Sequence, residues 1–308
     1  MTLKILGTIG LLSAYPLLYY VYGPLSLTAL TSAWRWLAAG VTAWLAAWTA
    51  TILFPLCPAA IADQMWYAVA LLMVCPAIAV LGARRPGTLV WTWFVLVPLL
   101  LVLGWPALTA WDSRLQVAPL DIEKPAIVAY GLVLIMGTGN YFRTRFSLSA
   151  VCLLVALVLL IVPFSSAAPV PFADRDGSRI WATLSLAAAF ATAFLSGRRT
   201  AVAVTPLHRV WIDFRDSFGI VWAKRAMDRI NVAAENEHWP VRLELDGFHP
   251  LNHTGSRTPR TDVEEHIEHT MRWLLRRFVD SEWIDCRIRK DAPASVAIST
   301  EKSSSASS

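Results

Sequence analysis

The first 200 residues contain no histidine, and they carry just 12 basic and 6 acidic side chains, none of them inside the apolar runs. Proton- and ion-coupled transporters place ionisable groups within their spans, so this absence argues against ion coupling. Cysteine is scarce too. Cys57, Cys75, Cys152 and Cys286 include no CxxC pair, which removes any basis for a zinc ribbon or a redox motif. Three of them lie in or beside apolar runs and read as small core fillers, and Cys286 is expected to stay reduced on an inner membrane face. No phosphate loop, no nucleophile with a companion base and no RNA or DNA fold signature occurs. The acid pairs in "DFRD" (Asp213–Asp216) and "LDGF" (Leu245–Phe248) lack companions and read as surface charge and a turn.

What is present is apolar length. Of 308 residues 56% are hydrophobic and 16% charged, outside the ordinary soluble range. A helix needs about 20 mostly apolar residues to cross hydrocarbon, where an unpaired amide is costly. Seven stretches qualify, near Ile5–Val21, Trp36–Leu56, Met65–Leu81, Thr88–Leu108, Ala126–Tyr141, Phe146–Phe164 and Ile180–Leu195. "LSLTALTSA", Leu25–Ala33, either lengthens the second helix or lies at the interface. The predicted architecture is mainly α: a polytopic domain of seven helices over 1–199, a small α-β-α-β module over 200–290, and a disordered Ser-rich tail over 291–308.

Basic residues set the orientation, because loops rich in Lys and Arg stay in the cytoplasm. Alternate connections gather Arg35, Arg84, Arg85, Arg143, Arg145, Arg198 and Arg199 without an acid, whereas the others mix Lys4, Arg114, Lys124, Arg175 and Arg179 with six acids. The N-terminus is therefore expected outside and the module in the cytoplasm, with a bacterial inner membrane as the default. Lys4 before an apolar run also fits a cleaved signal peptide, but its cleavage site is weak and removal would put Arg35 outside. The formal charge of +5 follows from these inner connections and not from a nucleic-acid face. Trp34, Trp36, Trp66, Trp105, Trp111 and Trp181 sit near span ends, as an interfacial belt requires.

Two polar groupings in the membrane part merit weighing. "IMGTGNYF", Ile135–Phe142, is the best candidate for a broken helix at a substrate site, with Asn140 at its tip, although close helix packing explains Gly137 and Gly139 better. The outer acids Asp112, Asp121, Glu123, Asp174 and Asp176 are interleaved with basic residues and show no spacing that selects a metal or a reaction.

The module starts with Thr205 and Pro206, a capping hydroxyl followed by a residue suited to the first helical turn. Leu207, Val210, Trp211, Phe214, Phe218, Val221 and Trp222 keep one face, and beyond Gly219 the stripe rotates, so the helix is expected to bend or change partner there. Val241, Leu243 and Leu245 alternate with polar residues as a strand does, and Ile284, Cys286 and Ile288 suggest a second strand that pairs in parallel. Between them Thr261 and Glu264 form a capping box for a helix carrying Val263, Ile267, Met271, Leu274, Leu275 and Phe278.

No catalytic residue and no cofactor is assigned. His249, His253, His266 and His269 form a weak candidate metal group whose spacing matches no zinc signature. Trp211, Phe214, Phe218 and Trp222 are candidates for contact with lipid or a partner. The expected role is a membrane anchor or scaffold whose module binds a protein partner or its own copy, with lipid as its solvent and no nucleic acid. The alternatives are an enzyme or transporter for a lipid or uncharged small molecule, and a membrane sensor.

Overall fold

The computed structural model describes residues 8–9, 11–12, 14–85, 87–112, 120–165, 174–198, 205–251 and 261–289. The membrane part comprises α1 (Ala14–Ser26), α2 (Thr31–Leu53), α3 (Ala59–Leu81), α4, α5 (Lys124–Gly139), α6 (Ser147–Ile161) and α7 (Arg175–Arg198). Helix α4 joins Thr88–Trp91, a π-helical turn Thr92–Leu96 and Val97–Asp112. A 3-10 turn, Val162–Phe164, ends α6. The chain is thus mostly helical, and among the described residues five helices are long and apolar enough to cross a membrane: α2, α3, α4, α6 with its turn, and α7. The first expected span is described continuously only from Ala14, and the fifth appears as a shorter helix of 16 residues.

Helix α3 lies at the centre. Its most apolar window is 61% buried, against 11% for α4, whose Val90, Phe94, Leu101 and Val102 point outward. Helix α2 packs on α3 through Trp44 and Trp48, whose rings meet the edge of Trp66 at 6.0 and 5.0 Å. Both indole N–H groups donate to Thr183 on α7, at 3.1 and 2.9 Å, so one hydroxyl ties two helices together. Trp66 is fully buried here rather than interfacial. The Tyr130 hydroxyl donates to the Ala70 carbonyl at 3.0 Å, and a Cβ on Gly137 would meet Ala77 Cβ at 2.4 Å, which binds α5 closely to α3. Gly137 is therefore a packing glycine, whereas a Cβ on Gly139 would meet nothing within 4 Å.

The module comprises α8 (Pro206–Asn236), β1 (Val241–Glu244), β2 (Gly247–Pro250), α9 (Thr261–Leu275) and α10 (Ser281–Arg289). Thr205 Oγ1 caps α8 by accepting from His208 N at 3.2 Å. The helix breaks at Gly219, where φ is +79° and ψ 176°. Strands β1 and β2 form an antiparallel hairpin with Val241 opposite Pro250 and Glu244 opposite Gly247. Asn231 of α8 supplies what the free edge of β1 lacks: its side chain accepts from Leu243 N at 2.8 Å and donates to Leu243 O at 2.9 Å. Before the break, Trp211 Nε1 donates to Glu244 O and Arg215 to Leu245 O, both at 2.8 Å. Both halves of α8 thus hold the hairpin.

The parallel α-β-α-β arrangement is not found. The expected second strand, Ile284–Ile288, is part of α10, and the two strands among the described residues are neighbours in sequence. Five alternating residues cannot distinguish a strand from a short amphipathic helix. Glu282 in the first turn and Arg287 and Arg289 in the last favour the helix through its dipole, and burial of Trp283 and Ile284 fixes its inner face. The second strand starts instead at Gly247, whose φ of +140° closes a two-residue turn over Leu245 and Asp246. The tail over 291–308 and His253 lie outside the described residues.

Candidate functional site

The module is bonded to three connections of the helix bundle, all at one end. Between α1 and α2, Ala29 N donates to Phe278 O at 2.7 Å and Asp280 N to Leu27 O at 2.9 Å, around a bridge of Thr28 with Val279. "LSLTALTSA" does lengthen the second helix through Thr31–Ala33, and its middle is a one-rung strand for the module. After α3, Arg85 N donates to Arg277 O at 2.7 Å, and the Arg85 side chain makes an ion pair with Asp280. Trp222 Nε1 also donates to Val80 O at 3.0 Å. A single apolar core runs from Leu30, Val80 and Ala83 into Trp211, Phe214, Phe218 and Trp222.

After α5, Asn140 closes the break in α8. Ile220 N donates to the Asn140 carbonyl at 2.8 Å, Val221 N to Oδ1 at 3.0 Å, and Nδ2 to the Phe218 carbonyl at 3.1 Å. Broken helices expose amides and carbonyls that must find partners. Asn140, 2% exposed, supplies both kinds at once. Gly219 is required twice, by its left-handed φ and because a Cβ would lie 2.2 Å from Asn140 Nδ2. The Tyr141 hydroxyl adds a bond to Ser217 O at 3.2 Å.

Beside this break lies a charged network that "DFRD" supplies. Asp216 is buried at 1% exposure, and its Oδ1 accepts from Arg215 Nε and Nη2 at 2.9 and 2.7 Å. Arg145, from the connection between α5 and α6, stands 3.4 Å from Asp216 Oδ2 and 3.2 Å from Asp213. Arg287 of α10 reaches Asp213 at 2.8 Å and lies over the Trp283 ring at 3.5 Å from its centroid. The acid pair is therefore an internal junction between the module and the bundle, not surface charge.

The four aromatic residues expected to meet lipid or a partner are inside. Trp211, Phe214 and Phe218 are 0% exposed and Trp222 8%. Phe214 stacks on Phe218 at 4.9 Å, and Phe278 meets Phe214, Phe218 and Trp222 edge-on at 5.4, 5.5 and 4.9 Å. The module's own core consumes these rings. Among the described residues the histidines are not gathered: His266 and His269 are exposed on α9, and His249 belongs to an exposed group with Glu244 and Asp246 that includes neither. His249 Nε2 lies 3.0 Å from Asp246 Oδ1, and this bond holds the Asp246 carboxyl below its usual range.

At the far end of the bundle Asp63, 1% exposed, sits between Arg175 and Arg179 of α7. It accepts from Arg179 Nη2 at 2.9 Å and from Leu120 N at 3.3 Å, while Arg175 Nη2 donates to Leu120 O at 3.2 Å. Asp63 and Arg179, expected from the sequence in the outer connections, both lie within helices. A cavity of about 150 Å³ next to them is lined by Thr51, Cys57, Met65, Trp66, Asp176 and Arg179. Trp66 Nε1 is buried with no acceptor among the described residues, and a cavity of this size can hold water to provide one.

A groove of about 850 Å³ lies at the module end, walled by the start of α4, the end of α5 and the second half of α8. Its lining is mainly apolar, with Phe94, Ile135, Met136 and Val221 exposed on it. Its charged members are Arg84 and Arg225. No protein family model, curated protein or solved structure matches the chain.

Proposed function

We propose that the chain is a multi-pass membrane scaffold of seven spans, with its N-terminus outside and its module held at the cytoplasmic face as a fixed cap for a protein partner or a second copy. The observation that carries this reading is that the polar side chains best suited to chemistry have structural tasks. Asn140 completes a helix break, Asp213, Asp216, Arg145 and Arg287 join the module to the bundle, and Asp63 fastens α3 to α7. The arginines that orient the chain by the basic-loop rule also support it, since Arg85 and Arg145 pair with acids of the module.

Crosslinking in native membranes followed by mild solubilisation tests the scaffold. A defined complex larger than one chain is expected, and a lone monomer under all conditions overturns the reading. The second reading, a protein that handles a lipid, is favoured by the groove between α4, α5 and α8.

A further inference from the structure

We infer that this groove holds an anionic phospholipid of the leaflet next to the module, with one acyl chain along Phe94, Ile135 and Met136 and the phosphate between Arg84 and Arg225. The inference deepens the second reading and does not need the scaffold to be correct. Its volume, about 850 Å³, falls in the range of about 300–1,000 Å³ usual for ligand sites.

Charge selects the occupant. Arg84 and Arg225 are exposed, the lining contains no acid, and neither arginine has an acidic partner among the described residues. This contrasts with Arg85 and Arg145, which are paired with acids of the module. Arg225 is held by stacking over Trp222, 4.9 Å from the ring centroid, and Trp222 is itself tied to Val80. Trp91 forms the opposite wall: its ring packs so closely on Gly82 that a Cβ there would lie 2.1 Å away, and its Nε1 donates to Ile78 O at 3.2 Å. The Arg225 side of the basic rim is thus positioned before any ligand arrives.

The position explains the apolar floor. Helix α4 is among the helices able to cross a membrane and is the least buried of them, so the groove opens where lipid chains run. Arg84 follows the end of α3 and Arg225 lies on the module, which puts both at the level where headgroups begin. Basic pockets between membrane helices at this depth are suited to anionic headgroups. Asn140 also lines the groove, but its polar atoms are committed to α8 and offer a ligand little.

The test uses the full chain in nanodiscs that contain phosphatidylglycerol and phosphatidylcholine in equal amounts, with retained lipid read by native mass spectrometry after ejection. We expect retention to favour phosphatidylglycerol by on the order of tenfold. Arg84→Gln with Arg225→Gln should bring the ratio close to one. Gly139→Leu, at a position where a Cβ meets nothing within 4 Å, should fill the groove and lower retention of both lipids. Equal retention by the unaltered chain, a preference that survives the double substitution, or retention unaffected by Gly139→Leu would each overturn the proposal. Hydrogen exchange over 220–236 of the unaltered chain needs no variant: phosphatidylglycerol must slow it relative to phosphatidylcholine alone, and equal rates also overturn the proposal. A monomeric chain that retains phosphatidylglycerol would sink the scaffold and leave this site standing.

Discussion

Asn140 and Gly219, 79 residues apart, complete each other: the glycine opens α8 and the asparagine bonds to the backbone on both sides of the opening. Asn140→Ala leaves the Phe218 carbonyl and the Val221 amide unpaired, and each such buried group costs about 1–3 kcal/mol. Asn140→Asp keeps an acceptor for Val221 but loses the donor for Phe218, so it should still destabilise. Gly219→Ala should be at least as damaging, because strain at positive φ adds to the clash with Asn140. Thermal unfolding of the detergent-solubilised chain, followed by tryptophan fluorescence, measures all three. Protease release of the module should rise in the same order.

The network of Arg145, Asp213, Asp216 and Arg287 should behave as one unit. Asp216→Ala removes a carboxylate that is 1% exposed and leaves Arg215 and Arg145 without it, a change expected to cost about 3–5 kcal/mol. Arg145→Gln should cost less, since Arg145 is partly exposed and Asp213 keeps Arg287. A double-mutant cycle over Arg145 and Asp216 measures their coupling; additive losses would show that the ion pair contributes nothing of its own.

Local patterns revealed the helices, the cap at Thr205 and the bend at Gly219, because each of these depends on residues within a turn or two. The partner of that bend was hidden, since nothing near Asn140 refers to a glycine far along the chain. Arg145 and Asp213 were separately visible as an orienting charge and a stray acid, yet their pairing is a product of topology. Misreading Ile284–Ile288 has a different source. Alternation over so short a run is shared by both periods, and Trp283 with Arg287, a contact pair one helical turn apart, was the overlooked signal.

Asp63 should be essential for joining α3 to α7. Asp63→Ala leaves Arg175 and Arg179 adjacent and without their shared carboxylate, again a loss of about 3–5 kcal/mol for a buried group. Replacing Arg179 by Met in the same chain should recover part of this, because a buried charge then disappears with its partner. Unfolding temperatures of the single and double variants decide it. If Asp63→Ala alone matches the unaltered chain, the cluster is ornamental.

The hairpin should loosen in mild acid through His208. Its ring lies against the hairpin, where a Cβ on Gly247 would come within 2.2 Å of it, and burial lowers its pKa, with Asp246 opposing and Arg215 and His249 adding to the shift. A histidine pKa lowered by folding contributes stability that is complete above the unfolded value, about 6.5, and is lost as pH falls through the folded one. The protection of 241–250 against hydrogen exchange, relative to the intrinsic amide rate at each pH, should therefore fall below about pH 6.5, and His208→Gln should flatten that response. Asp246, whose pKa is lowered chiefly by its bond to His249, acts in a separate window below the ordinary carboxylate value.

Sidedness can be read without knowing which membrane holds the chain. The connections carrying Arg84 and Arg143 both touch the module, the first through Arg85 and the second through Asn140 and Arg145, so they must share a face. The start of α5 belongs to the other end, where Ile122 N donates to Phe164 O at 2.7 Å. In a chain otherwise free of cysteine, Arg84→Cys and Arg143→Cys should react with an impermeant maleimide under the same conditions as the native Cys286, which is exposed on α10. Glu123→Cys should react under the opposite conditions. In intact cells the basic-loop rule expects Glu123→Cys to label and the other three to need permeabilisation. Arg84→Cys and Arg143→Cys labelling from opposite faces would mean that the module does not dock on the bundle, and the reversed pattern would keep the fold while inverting the chain in its membrane.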